Sequence, residues 1–277
     1  MRARLALALG LLAWVCWGAP PIAAQQTGTL DVSRGVGGFT GEVRPIQRPV
    51  LLRYQSVAQF RFTLRAEGRF EEARSGLRPF SLATEGAGSI RRQGSIVDWS
   101  VQVTSMTVED RVLKASVPLV EFRVRTDPLG DEIDSPDIEA PGLRELAIAA
   151  DPADISGPVD AWIGYPEAAV KAGDLITPMS IEGLLPLPDG ASIHNTVTVV
   201  ARGLATVDGR ELLVGEVVGG VAAAHAGTEF SAQAKGYWLI DLETGLHRGR
   251  VRLDVVSSGR SLRQRGIVSA DFDYRPI

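Results

Sequence analysis

The sequence has 277 residues, 33 acidic against 29 basic side chains for a formal charge of −4, and a single cysteine. That cysteine, Cys16, falls inside a leader, so the mature chain has no thiol, which excludes a disulfide framework, a cysteine nucleophile and a thiolate metal site. The arginines are scattered through alternating strands and form no block in sequence, so nucleic acid is not an expected partner.

Residues 1–24 have the three-part layout of a secretory signal: Arg2 and Arg4, an apolar run from Leu5 to Cys16, and small residues at Ala23 and Ala24. Cleavage after Ala24 and export to the periplasm or cell envelope are expected. The apolar run is short for a bilayer and Pro20-Pro21 end it, so no transmembrane span is expected once the leader is removed. Ala13, Trp14 and Val15 lack the small residue usually found beside a lipidated cysteine, which argues against lipidation at Cys16. Residues 25–49, rich in Gly, Thr and Ser, read as a flexible lead-in. Their glycines miss the dinucleotide-binding spacing, because the third position of G-x-G-x-x-G falls on Thr40.

A first β region is predicted over 50–156. Leu52, Tyr54, Val57, Phe60, Phe62 and Leu64 are interleaved with Arg53, Gln55, Gln59, Arg61 and Thr63, and Val97, Trp99, Val101 and Val103 alternate with polar residues. A period of two puts one set against a core and the other in water. Gln93-Gly94 marks a reversal ahead of the second run, and Val120, Phe122 and Val124 supply a further strand of an antiparallel meander. The stretch from Asp127 to Glu139 holds six carboxylates without the ladder of a calcium loop and reads as a solvated excursion. LRELAIAA, from Leu143 to Ala150, is the best helix candidate, ended by Asp151-Pro152.

Five prolines between Gly157 and Pro188 make 157–192 a connector between two sheet regions. Trp162, in a loop beside Tyr165, is a candidate for a ligand groove, together with Tyr165 itself, Leu184, Leu187 and Trp238. A strand position makes Trp238, like Trp99, simplest as core. The second β region, 193–277, contains a hairpin turned at Asp208-Gly209 and another spanning Gly236 to Val256, where Asp241, Thr244 and Gly245 suit the reversal. Each region carries an acidic turn ending in glycine, at Asp127 to Gly130 and at Asp241 to Gly245, a weak sign of an internal repeat.

The run YPEAAVKAGD, Tyr165 to Asp174, carries a P-x-x-x-V-K-x-G-D step, and Gly236 to Gly245 carries G-x-x-x-x-D-x-x-T-G. In that order, over about Val50 to Val256, the chain resembles a group of exported bacterial proteins of unknown function. The resemblance implies a curved antiparallel sheet similar to the periplasmic lipoprotein carriers, whose concave side faces helices and holds an acyl chain. This chain has little helix to line such a groove, and the group has no established activity to carry over.

Catalytic and cofactor sites are not predicted. No G-x-S-x-G occurs, no lysine follows a glycine loop, and His194, His225 and His247 lack an H-x-x-x-H spacing, so no metal site is assigned. An outer-membrane barrel is disfavoured by an aromatic content of 6% and by the prolines after Gly157. The sequence therefore predicts a mainly β, antiparallel, exported and non-catalytic protein with one or two short helices. The leading expectation is that it binds a lipid, another apolar ligand or a protein segment on a concave sheet face. The alternative is a structural module with a filled core that contacts other envelope proteins.

Overall fold

Strands form where apolar and polar side chains alternate. A computed structural model describes residues 36–71, 79–148, 163–178, 192–225, 228–259 and 263–277. The first region supplies β1 (Val57–Phe70), β2 (Phe80–Gln93), β3 (Ile96–Val108), β4 (Arg111–Leu113), β5 (Val120–Thr126) and β6 (Asp137–Glu139), then the helix α1 (Pro141–Glu145). After β7 (Leu175–Pro178) and β8 (Ser192–Asn195) come β9 (Thr198–Val207), β10 (Arg210–His225), β11 (Thr228–Asp241), β12 (His247–Ser258) and β13 (Arg263–Pro276). The leader over 1–24, the boundary near Gly157 and most of the connector lie outside the described residues.

All thirteen strands join one antiparallel sheet in the order β6-β5-β3-β2-β1-β13-β12-β11-β10-β9-β7, with β4 beside β3 and β8 beside β10. The path does not return on itself, so the sheet is open. Between its edges runs a chain of backbone hydrogen bonds made by irregular segments: Tyr54 N–H donates to Pro128 O, Tyr165 N–H to Leu129 O, and Ala201 N–H, on β9, to Asp174 O. Both β regions enter this one sheet, because β13 pairs with β12 on one side and with β1 on the other.

One face of the sheet is the core. Phe60 and Phe62 of β1, Trp99 of β3, Val199 of β9 and Leu253 of β12 belong to a single buried cluster. Residues from near both edges share that cluster, so the sheet curls around its own apolar face and presents the other face outward. A smaller cluster lies on the outer face, where Val36 and Phe39 cover Ala205, Leu212, Val214 and Leu239.

The curl leaves little room beside the aromatic rings, and glycine supplies it. Gly86 and Gly88 stand directly opposite Phe62 and Phe60, and Gly249 stands opposite Phe272. A Cβ at Gly249 would lie 2.3 Å from Tyr237 O and 2.7 Å from the Phe272 ring. Gly249→Ala is therefore expected to lower stability by about 2 kcal/mol through overpacking, read as a lower urea midpoint at an unchanged slope.

The Asp208-Gly209 turn forms as predicted, with φ of 54° and 76° at its two residues, the left-handed pair that a two-residue hairpin of this twist requires. The helix differs from expectation. It begins at Pro141 and stops at Glu145, because Ala147 adopts φ 55° and the chain closes with Ile148 N–H on Leu143 O and Ala147 N–H on Arg144 O. That is the Schellman pattern, which ends a helix regardless of the apolar spacing beyond it.

Candidate functional site

The interior is built from aromatic rings packed edge-on and tilted against one another. Tyr54 lies 4.7 Å from Trp99 and 4.9 Å from Tyr165 between ring centroids, and Trp238 packs 4.0 Å from Phe272 and 5.1 Å from His247. Two of the predicted groove residues are thus buried: Tyr165, whose hydroxyl donates to Gly245 O, and Trp238 on β11. Burial pushes the Tyr165 hydroxyl well above its usual range. Trp162, Leu184 and Leu187 lie outside the described residues.

The three histidines do not converge. His194 is exposed on β8 and His225 is partly buried at the end of β10, whereas His247 is buried at the start of β12. Burial alone lowers its imidazole from 6.5 to about 3. Its Nδ1 and the Trp238 Nε1 have no hydrogen-bond partner among the described residues. Among those residues no group of three or more histidine, aspartate or glutamate side chains is arranged to hold a metal ion.

The outer face carries the charge. On β1 the outward positions include Arg61, Arg65 and Arg69, and on β12 they include Arg248, Arg250 and Arg252. β13 lies between them and adds Arg265 and Arg275. Against these eight arginines the same faces of the same strands hold Glu67, Asp254, Asp271 and Asp273, a local excess of +4 on a chain of −4. Arg250 grips Asp271 through two hydrogen bonds, Nε on Oδ1 at 2.5 Å and Nη2 on Oδ2 at 3.2 Å, and Arg252 reaches Asp254 at 3.0 Å. Arg61 and Arg65 make no ion pair among the described residues; Arg61 stands directly opposite Arg275, and Arg65 stands opposite Asp271, the carboxylate that Arg250 holds. Like charges facing one another across strands oppose folding, and exposed ion pairs return little stability. Arg69, Arg248, Arg250, Arg252 and Arg275 are held in ion pairs with neighbouring carboxylates, so the arginines of this face left without one among the described residues are Arg61, Arg65 and Arg265.

At one end of this face a cleft of about 240 Å³ opens where β10, β11, β12 and β13 finish or begin. Arg210, Arg248 and Arg275 line it together with Leu212, Leu239 and Leu246. Asp208 accepts from Arg248 at 3.0 Å, and that bond, then the arginine's charge, holds the Asp208 carboxyl below its usual range, with Arg275 adding to the effect. Asp241 is held more firmly, its side chain only 7% exposed and its Oδ2 accepting from Arg210 Nη1 at 2.6 Å.

Sequence reasoning missed this face for a definite reason. The arginines recur at steps of two or four along β1 and β12, but those strands are far apart in the chain and become near neighbours only through β13. The scattered arrangement read from the sequence is thus a gathered one in space.

No protein-family model matches the chain, and comparison with curated proteins finds no match. No helix among the described residues is long and apolar enough to cross a membrane.

Proposed function

We propose that the protein is a non-catalytic interaction module of the cell envelope with a filled core, the second of the two readings that the sequence left, and that it meets its partner on its outer surface. The observation that supports it is the filling of the interior. Where a lipid carrier keeps space for an acyl chain, Tyr54, Phe60, Phe62, Trp99 and Trp238 belong to one buried cluster, each 3% exposed or less. Among the described residues, a face packed to this degree offers little surface for an apolar guest to cover.

The test is native mass spectrometry of protein purified from the envelope, paired with a dye that fluoresces on apolar grooves. The expected mass is that of the polypeptide alone, with no dye enhancement at neutral pH. A stoichiometric co-purifying lipid would overturn the reading and return the apolar ligand to a concave groove lined by residues such as Trp162, Leu184 and Leu187.

A further inference from the structure

We infer that the outer face of β1, β13 and β12 docks on an anionic lipid bilayer, its arginines meeting the lipid phosphates. The inference rests on the proposed reading of the protein as a module that works through its outer surface. Three adjacent strands span about 10 Å, and the 14 residues of β13 run for about 45 Å, so the charge forms a long, narrow strip. The outer face of a sheet curled around its core is convex, and a convex face meets a plane over such a strip. The local excess of positive charge on an otherwise acidic chain orients the molecule with this side toward a negative surface.

The chemistry of the strip narrows the partner further. Its cations are all arginine, whose planar fork pairs with phosphate through two hydrogen bonds. Arg61 and Arg65 are exposed and make no ion pair among the described residues, so their guanidinium groups are available to do so. The central strand also carries Ile267, 37% exposed on the same face, and Ile277, 66% exposed, follows its last residue. Aliphatic side chains among cations gain by entering the headgroup region of a bilayer. A nucleic acid or an acidic polypeptide offers them no comparable environment, and this favours the bilayer over a linear polyanion.

The experiment sediments the mature protein with vesicles of phosphatidylcholine mixed with phosphatidylglycerol, and with vesicles of phosphatidylcholine alone. Binding is expected to the mixed vesicles only and to fall steeply between about 0.1 and 0.5 M salt. Arg61→Gln and Arg65→Gln are each expected to weaken it about 5-fold, and the double variant about 30-fold. A control double variant, Arg91→Gln with Arg123→Gln, removes two exposed arginines outside the strip and is expected to stay within about 2-fold of the parent. Circular dichroism verifies that both variants keep the sheet. Absence of binding to mixed vesicles, equal binding to neutral ones, or equal losses in the two double variants overturns the inference. Binding to duplex DNA without binding to vesicles also overturns it and assigns a linear polyanion instead. If vesicles fail while the purified protein remains ligand-free and dye-negative, docking falls and the proposed function stands.

Discussion

Lowering the pH from 7 to 5 is expected to remove about 2 kcal/mol of stability through His247 alone. Burial depresses this imidazole from 6.5 to about 3 in the folded protein. Between those values the unfolded chain takes up a proton that the folded chain refuses. The stabilising contribution is therefore complete above pH 6.5 and is lost as the pH falls toward 3, at a slope approaching about 1.4 kcal/mol per pH unit. The neighbours explain why no proton is accepted: Trp238, Phe272 and Tyr274 surround the ring at 5.1, 5.6 and 5.0 Å between centroids. His247→Phe keeps an aromatic ring, removes the titrating group and should flatten the profile in this window. Urea midpoints of both proteins at pH 7 and pH 5 make the comparison, since most carboxylates titrate below that range. Equal losses in parent and variant would mean that His247 accepts the proton in the folded state.

Asp241→Ala is expected to destabilise the protein by about 3 kcal/mol. One oxygen of this carboxylate accepts from Glu243 N–H at 2.8 Å and Thr244 N–H at 3.2 Å, and the other accepts from Arg210 at 2.6 Å. Removing it orphans two amides of the β11–β12 turn. It also leaves Arg210, among the described residues, with the exposed Glu243 at 3.5 Å. The turn is tied to the interior as well, because Tyr165 donates to Gly245 O and Gly245 sits at φ 79°, with Tyr54 close beside it. Asp241→Asn retains an acceptor oxygen and should cost about half as much. Arg210→Ala should cost under about 1 kcal/mol, since that side chain is 36% exposed and its loss leaves Asp241 its two amides. Thermal or urea unfolding ranks the three. A ranking that placed Arg210→Ala above Asp241→Ala would show the ion pair, and not the amide bonds, to hold the turn.

What could be read from the sequence was local. Asp208-Gly209 and Asp241 to Gly245 announce their turns through residues that adopt positive φ or accept backbone hydrogen bonds, and the alternation along β3 and β12 declares which side chains are buried. The reversal at Glu109-Asp110 could not be read, because φ of 46° and 66° fall there on two acidic residues with no glycine to signal them. β10 runs on through Gly219-Gly220 to His225. At Gly219, with φ 116°, its partner changes from β9, last paired at Val218, to β8, first paired at Val221. The burial of His247, just past a turn, depends on Phe272 and Tyr274, supplied by another strand. The arginine face was illegible for the same reason, since it exists only in the pairing of β13 with strands on either side.

That position of β13 has a consequence for association between copies. It satisfies two ladders at once, from Phe60↔Pro276 to Phe70↔Gly266 on β1 and from Arg248↔Asp273 to Ser258↔Arg263 on β12. When it detaches, both neighbours are left with long open rows of amide and carbonyl groups flanking one slot. The same segment from a second molecule fits that slot with the native ladder hydrogen bonds restored, so reciprocal strand exchange is a low-cost route by which this fold becomes a dimer.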